Sequence, residues 1–255
     1  MTDLPHDLER TVVICATPET IFLFFTDNQR WATWWGAGST IDPTPGGKVY
    51  IRHANGVETI GEVLEIRPAE RIVFTYGYAT GQPIPPGGSR VTVNLEPDPA
   101  GTRLHLRHEF AEAGPRDEHI QGWRFQLSLF SNVVANEVYA DAVNTVEAWF
   151  AAWTITDSQS REQAFGEIVA SKVCFRDRYS LLDGLDDLTA HTGAAQRFMP
   201  GIGLQRKGPV RHCQGSVLAD WVALDSAGKE RMSGSSVFNF RADGKIASVT
   251  SFANL

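Results

Sequence analysis

The chain is poor in cysteine. Cys15, Cys174 and Cys213 are an odd number with no C-x-x-C spacing, which excludes a disulfide framework and points to reduced thiols in a cytoplasmic protein. Long apolar runs are also missing. Nothing approaches the ~20 residues that cross a bilayer, and the opening MTDLPHDLER is polar and acidic rather than a signal peptide, so no membrane is expected as a partner. Positive charge is not in excess. There are 23 Lys+Arg against 30 Asp+Glu, a net charge of −7 and a pI near 5.5, which argues against nucleic acid as a partner. The acid excess is uneven, with 11 basic against 17 acidic residues over 1–139 and 12 against 13 over 140–255. There is no internal repeat, and no G-x-S-x-G, H-E-x-x-H, phosphate loop or G-x-G-x-x-G. No cofactor is expected.

The most informative absence is local. From Trp123 to Phe165 the chain runs for 43 residues without Gly or Pro. Phe125, Leu129, Phe130, Val133 and Val134 form one apolar stripe, and Val138, Ala142, Val143, Val146, Trp149, Phe150 and Trp153 a second. Spacings of three and four give each run one apolar face, as in two helices in series. Flexible linkers are rich in Gly, Ser and Pro, so two domains are expected to meet near Asn136-Glu137-Val138. The expected spans are 1–137 and 138–255, joined by a short kink or an almost continuous helix that holds them in a fixed relation.

In the first span, residues 10–15 read as a strand. Thr17-Pro18-Glu19 opens a helix, with Thr17 as cap and Pro18 in the first turn. Trp31, Trp34 and Trp35 cluster after it. Strands are predicted at about 47–53, 57–66, 70–78, 89–96 and 102–110, set off by Pro-Gly-Gly, Asn-Gly, Arg-Pro and Pro-Ala-Gly turns. A long helix is predicted from about 119. The stretches TPETIFLFFTDNQRWATWWG, PGGKVYIRHANGVETIGEVLEIRPAERIVFTY, GTRLHLRHEF and the later Gly-Trp resemble the heat-shock-protein-90-ATPase-activator-like branch of the START-like (SRPBCC) superfamily, over nearly all of residues 8–136. The resemblance implies a helix-grip fold with an apolar cavity between the sheet and the long helix. Trp35, Phe74, Tyr76, His108, Trp123 and Leu127 are the residues expected around that cavity. The competing reading is plain core, because large aromatics at strand and helix periods most often pack inside. His53, His105 and His108 raise the idea of a metal, but alternation puts His105 and His108 on opposite faces, so no metal site is expected.

The second span reads as helix, helix, short strand, helix, then strands at about 203–214, 216–225, 231–240 and 245–253. The stretches VEAWFAAWTITDSQSREQAFGEIVASKVCFRD, GLDDLTAHTGAAQRFMPG and DWVALDSAGKERMSGSSVFNFRADGKIASVTSFAN resemble the SnoaL-like branch of the nuclear-transport-factor-2-like superfamily, over about residues 138–254. The implied fold is a cystatin-like α+β cone enclosing one pocket. Relatives include isomerases, cyclases and hydrolases, and others only bind. The whole chain is therefore expected to be α+β in two domains. Cone folds of this kind often pair through the sheet, so a homodimer through the C-terminal sheet is a further expectation.

Asp177 is the best catalytic candidate. Alternation would place Val173, Phe175 and Asp177 on one strand face, where a partly desolvated carboxylate can act as a general base. The competing reading is an Asp at a strand end, paired or capping a turn. His191 is a second candidate, able to bond a ligand or Asp177. Tyr179 would donate to an oxyanion if it turned inward. Trp149, Trp153, Phe175, Trp221 and Ser236 complete the expected wall. Many enzymatic relatives carry an acid on the strand that here reads Ser235-Ser236-Val237-Phe238-Asn239, which moves weight from catalysis to binding. The leading expectation is a protein that binds small hydrophobic or aromatic molecules in one or both cavities. The alternatives are a cofactor-free isomerase, cyclase or hydrolase using Asp177, and a chaperone-linked interaction protein.

Overall fold

The computed structural model describes residues 3–254. The chain divides into two compact units, Met1–Ala135 and Asn136–Leu255. Both are α+β, as expected, and each is described by itself.

The first unit opens with strand β1 (His6–Ile14). Helix α1 (Pro18–Leu23) follows, its N-cap Thr17 accepting from the Thr20 N–H and its first position taken by Pro18. Helix α2 (Asn28–Trp35) is capped by Asp27, whose carboxylate accepts from the Arg30 N–H at 2.9 Å. The remaining strands are β2 (Thr40–Ile41), β3 (Lys48–Arg52), β4 (Glu58–Arg67), β5 (Arg71–Tyr76), β6 (Ser89–Asp98) and β7 (Gly101–Phe110), and helix α3 (Ala113–Val138) follows them. The strands form one sheet in the order β1-β7-β6-β5-β4-β3-β2, with every neighbour pair antiparallel. Each meander strand pairs with its sequence neighbour, and β1 returns to the far edge against β7. Gly101 starts β7 at φ 136°, and a Cβ there would stand 2.2 Å from the Ile14 carbonyl oxygen. Only glycine lets the turn pass that close.

The core of this unit is aromatic. Trp31, Trp34, Phe24, Phe25, Phe74 and Phe130 are all sealed from solvent. Phe130 of α3 lies 4.7 Å from Trp34 and 5.2 Å from Phe25 by ring centroids, which ties the long helix to α1 and α2. Helix α3 begins at Ala113, six residues earlier than the sequence suggested. Pro115 is tolerated there because a proline in the first turn has no carbonyl to which it could donate.

The second unit continues from α3 through a turn at 139–141 into α4 (Ala142–Ala152) and α5 (Ser158–Ile168). Then come β8 (Val169–Arg176), β9 (Leu181–Asp183), α6 (Leu185–Phe198), β10 (Gly203–Cys213), β11 (Ser216–Leu224), β12 (Glu230–Phe240) and β13 (Ile246–Asn254). The four long C-terminal strands fall within a residue or two of their predicted bounds. Their sheet runs β10-β11-β12-β13-β8-β9, with β8 parallel to β13. Trp149 is its centre, with the rings of Phe165, Phe175 and Phe238 between 5.4 and 5.9 Å away. Arg161 is buried too, at 4% exposure. Its guanidinium donates to the carbonyls of Thr189, Ile155 and Thr156. Gly193 leaves room for it, since a Cβ there would sit 2.5 Å from Nη2. Among the described residues, no helix is long and apolar enough to cross a membrane.

Candidate functional site

A cavity of about 530 Å³ lies within the first unit. That volume falls in the range of about 300–1,000 Å³ typical of small-molecule sites. Its wall is assembled from the end of α2 (Trp34, Trp35), the loop after β3 (His53), the end of β5 (Tyr76, with Tyr78 just beyond) and one face of α3. On α3 the contributors include His119, Gly122, Trp123 and Gln126. The spacing of 3, 4 and 7 residues puts them on one helical face. Gln126 also donates to the Trp34 carbonyl oxygen, fixing α3 to the end of α2. Phe125, 69% exposed, stands at the rim with Glu118.

Of the six residues expected around this cavity, Trp35, Tyr76 and Trp123 line it. Phe74, His108 and Leu127 do not. They are buried, at 0%, 0% and 3% exposure. His108 has a structural role instead. Trp123 Nε1 donates to His108 Nδ1 at 2.9 Å, so Nδ1 carries no proton. The Ser89 hydroxyl donates to the Tyr76 carbonyl at 2.8 Å and accepts from His108 Nε2 at 2.8 Å. Both ring nitrogens are thus committed, and burial holds the His108 imidazole well below its ordinary pKa. The ring is neutral and fixes Trp123 in the wall.

His53 and His119 were not expected as wall residues. Burial lowers both their pKa values; at His53 the neighbouring His119 adds to the effect. His53 stands edge-on to Trp35 at 5.7 Å, and its Nε2 is 3.5 Å from the Tyr76 hydroxyl. Tyr76 is pushed up, chiefly by burial and then by Tyr78 beside it. His119 escaped notice because a helix starting near 119 gives it no place on a face. With the true start at Ala113, the set 119, 122, 123 and 126 is legible.

Trp35 differs from its neighbours on α2. Trp31 Nε1 donates to the Tyr50 carbonyl and Trp34 Nε1 to the Phe24 carbonyl. Trp35 Nε1 is buried with no partner. An unpaired buried donor costs about 1–3 kcal/mol. Trp34→Phe strands a carbonyl as well as shrinking the ring, whereas Trp35→Phe removes an orphan. Urea unfolding is therefore expected to show the smaller loss for Trp35→Phe, by about 1 kcal/mol.

In the second unit the structure revises the expected arrangement. Strand β8 ends at Arg176, so Asp177 does not continue the alternation with Val173 and Phe175. It lies in a turn, where its carboxylate accepts from the Tyr179 N–H at 2.8 Å and its own N–H donates to the Ser180 carbonyl. That turn sends Tyr179 outward, at 79% exposure, and not toward a pocket. His191 Nε2 lies 3.3 Å from the Ser180 hydroxyl, with the rings of Trp153 and Phe175 at 6.1 and 6.4 Å. Ser236 is buried and donates to the Ser251 hydroxyl. Trp149 and Trp221 are core residues at 2% and 7% exposure. Asp177→Ala removes a half-exposed turn cap, and a stability loss of about 1 kcal/mol or less is expected on denaturation. Among the described residues, no group of three or more His, Cys, Asp or Glu is placed to hold a metal ion.

Comparison with known proteins bears mainly on the first unit. No curated protein matches the chain. Solved structures with similar folds include a SnoaL-like family protein from Agrobacterium tumefaciens. It is 20% identical over 44% of this chain and 97% of its own, with a TM-score of 0.43. The Aha1 dimer from Colwellia psychrerythraea is 17% identical over 48% of this chain and 90% of its own, with a TM-score of 0.42. Likenesses this distant carry no function with them. The model of the family described as Activator of Hsp90 ATPase homolog 1-like protein matches residues 15–135. Those residues hold the cavity and every group around it, and over them the chain is similar to the Activator of Hsp90 ATPase homolog 1-like family.

Proposed function

We propose that the first unit binds a small aromatic or otherwise hydrophobic molecule in the cavity between α2, α3 and the sheet. The observation that supports this is the cavity itself, about 530 Å³ walled by Trp34, Trp35, Tyr76, Tyr78 and Trp123. Closely packed interiors rarely leave a space of that size. Flat apolar faces with a few polar atoms suit a ring-bearing ligand. The Asp177 carboxylate is occupied in a turn, where it accepts from the Tyr179 N–H, so binding is preferred to catalysis.

Equilibrium dialysis of the full chain against 2-methoxynaphthalene tests the reading. This probe carries two fused rings and no hydrogen-bond donor. Saturable uptake approaching one equivalent per chain is expected. Absence of uptake up to the solubility limit would contradict the proposal.

A further inference from the structure

We propose that the molecule taken up by this cavity is an aromatic compound carrying a hydroxyl or N–H group, which it donates to His119 Nε2. The inference rests on the binding role assigned to the cavity and adds the chemistry of its ligand.

The argument begins with the His119 tautomer. Its Nδ1 lies 2.7 Å from the Pro115 carbonyl oxygen, one turn back on α3. A carbonyl oxygen only accepts, so Nδ1 carries the proton and the lone pair of the neutral ring is on Nε2. Among the described residues no group donates to Nε2, and it is not among the polar atoms sealed from solvent. His119 lines the cavity, so this lone pair opens there as an acceptor without a partner.

The surroundings keep it an acceptor. The rings of Phe110, His108, Tyr76 and Tyr78 stand 5.2, 5.3, 5.7 and 6.2 Å from the His119 ring. The charged or titratable groups facing it are His53, Tyr76, Tyr78 and His108 from the sheet side and Glu118 on its own helix. Burial disfavours the imidazolium there. A neutral imidazole beside aromatic rings accepts from a phenol or an indole-type N–H, and gives a carboxylate nothing. A ligand without a donor covers the lone pair and leaves it unmatched.

The test compares 2-naphthol with 2-methoxynaphthalene, which keeps the rings and the oxygen but lacks the donor. Dialysis of the full chain at pH 7.5 is expected to give a Kd about 5–10-fold lower for 2-naphthol. His119→Phe, which retains a ring, is expected to bring the ratio to about one. Equal binding of the two probes by the unaltered protein overturns the inference and leaves the cavity reading intact. A preference for 2-naphthol that survives in His119→Phe overturns it as well, because the donor then goes elsewhere. If neither probe binds, both the inference and the reading beneath it fail.

Discussion

Replacing Gly122 by phenylalanine is expected to abolish uptake of 2-methoxynaphthalene while leaving the protein at least as stable as before. Gly122 lies within α3 and lines the cavity, and a Cβ built on it meets nothing within 4 Å. Glycine in a helix interior costs about 1 kcal/mol relative to alanine, and phenylalanine costs less than glycine. A glycine at this position therefore weakens the helix in exchange for space. A phenyl ring placed there occupies the volume a ligand would use, without displacing backbone. Dialysis should show affinity falling by roughly 100-fold or more, about 2.7 kcal/mol. Urea unfolding should show stability unchanged or raised by about 0.5 kcal/mol. Retained binding would mean the probe sits elsewhere. Lost binding with lost stability would mean that Gly122 is required for packing.

The second large effect is expected at His108. Alanine there leaves Trp123 Nε1 without its acceptor and Ser89 without one bond, and opens a void among buried rings. The combined cost is about 3–5 kcal/mol on urea unfolding. The same residue makes stability depend on pH. His108 is held neutral in the fold, whereas in the unfolded chain it takes up a proton near its ordinary pKa of 6.5. Below that pH the unfolded state binds more protons, so stability is lost as pH falls from about 6.5 toward the depressed folded value. The slope is about 1.4 kcal/mol per pH unit for one such histidine. His53 and His119 shift in the same direction and add to it, while Tyr76 facing the ring stays neutral over this range. Unfolding at pH 7.5 and 5.5 should thus show a marked loss at the lower pH, and His108→Ala should reduce that difference. A pH-independent midpoint in the unaltered protein would contradict the buried neutral ring.

Much of the architecture could be read along the chain because its signals are local. Thr17 caps its helix through its own side chain, with Pro18 in the first turn. The turns Pro-Gly-Gly, Asn-Gly and Asp-Gly-Lys set off strands whose alternation matches the faces they bury. The cavity was only half legible. Trp35, Tyr76 and Trp123 follow from the resemblance, which implies a cavity between the sheet and the long helix. His119 and Gly122 required the start of α3, which lies at Ala113 with Pro115 in the first turn. His108 and His119 are both histidines among aromatics. What separates them is hydrogen bonding across the sheet and along the helix, which single-sequence patterns do not encode. Asp177 shows the converse error. Alternation was carried one residue past the end of β8, where an Asx-type turn takes over.

The most direct measurement is a crystal structure of the full chain grown with 6-bromo-2-naphthol, with data collected at the bromine edge. The account predicts an anomalous peak inside the cavity between Trp35, Tyr76 and Trp123, with the naphthol oxygen within hydrogen-bonding distance of His119 Nε2. A peak outside this cavity, or an empty cavity at saturating probe, would contradict it.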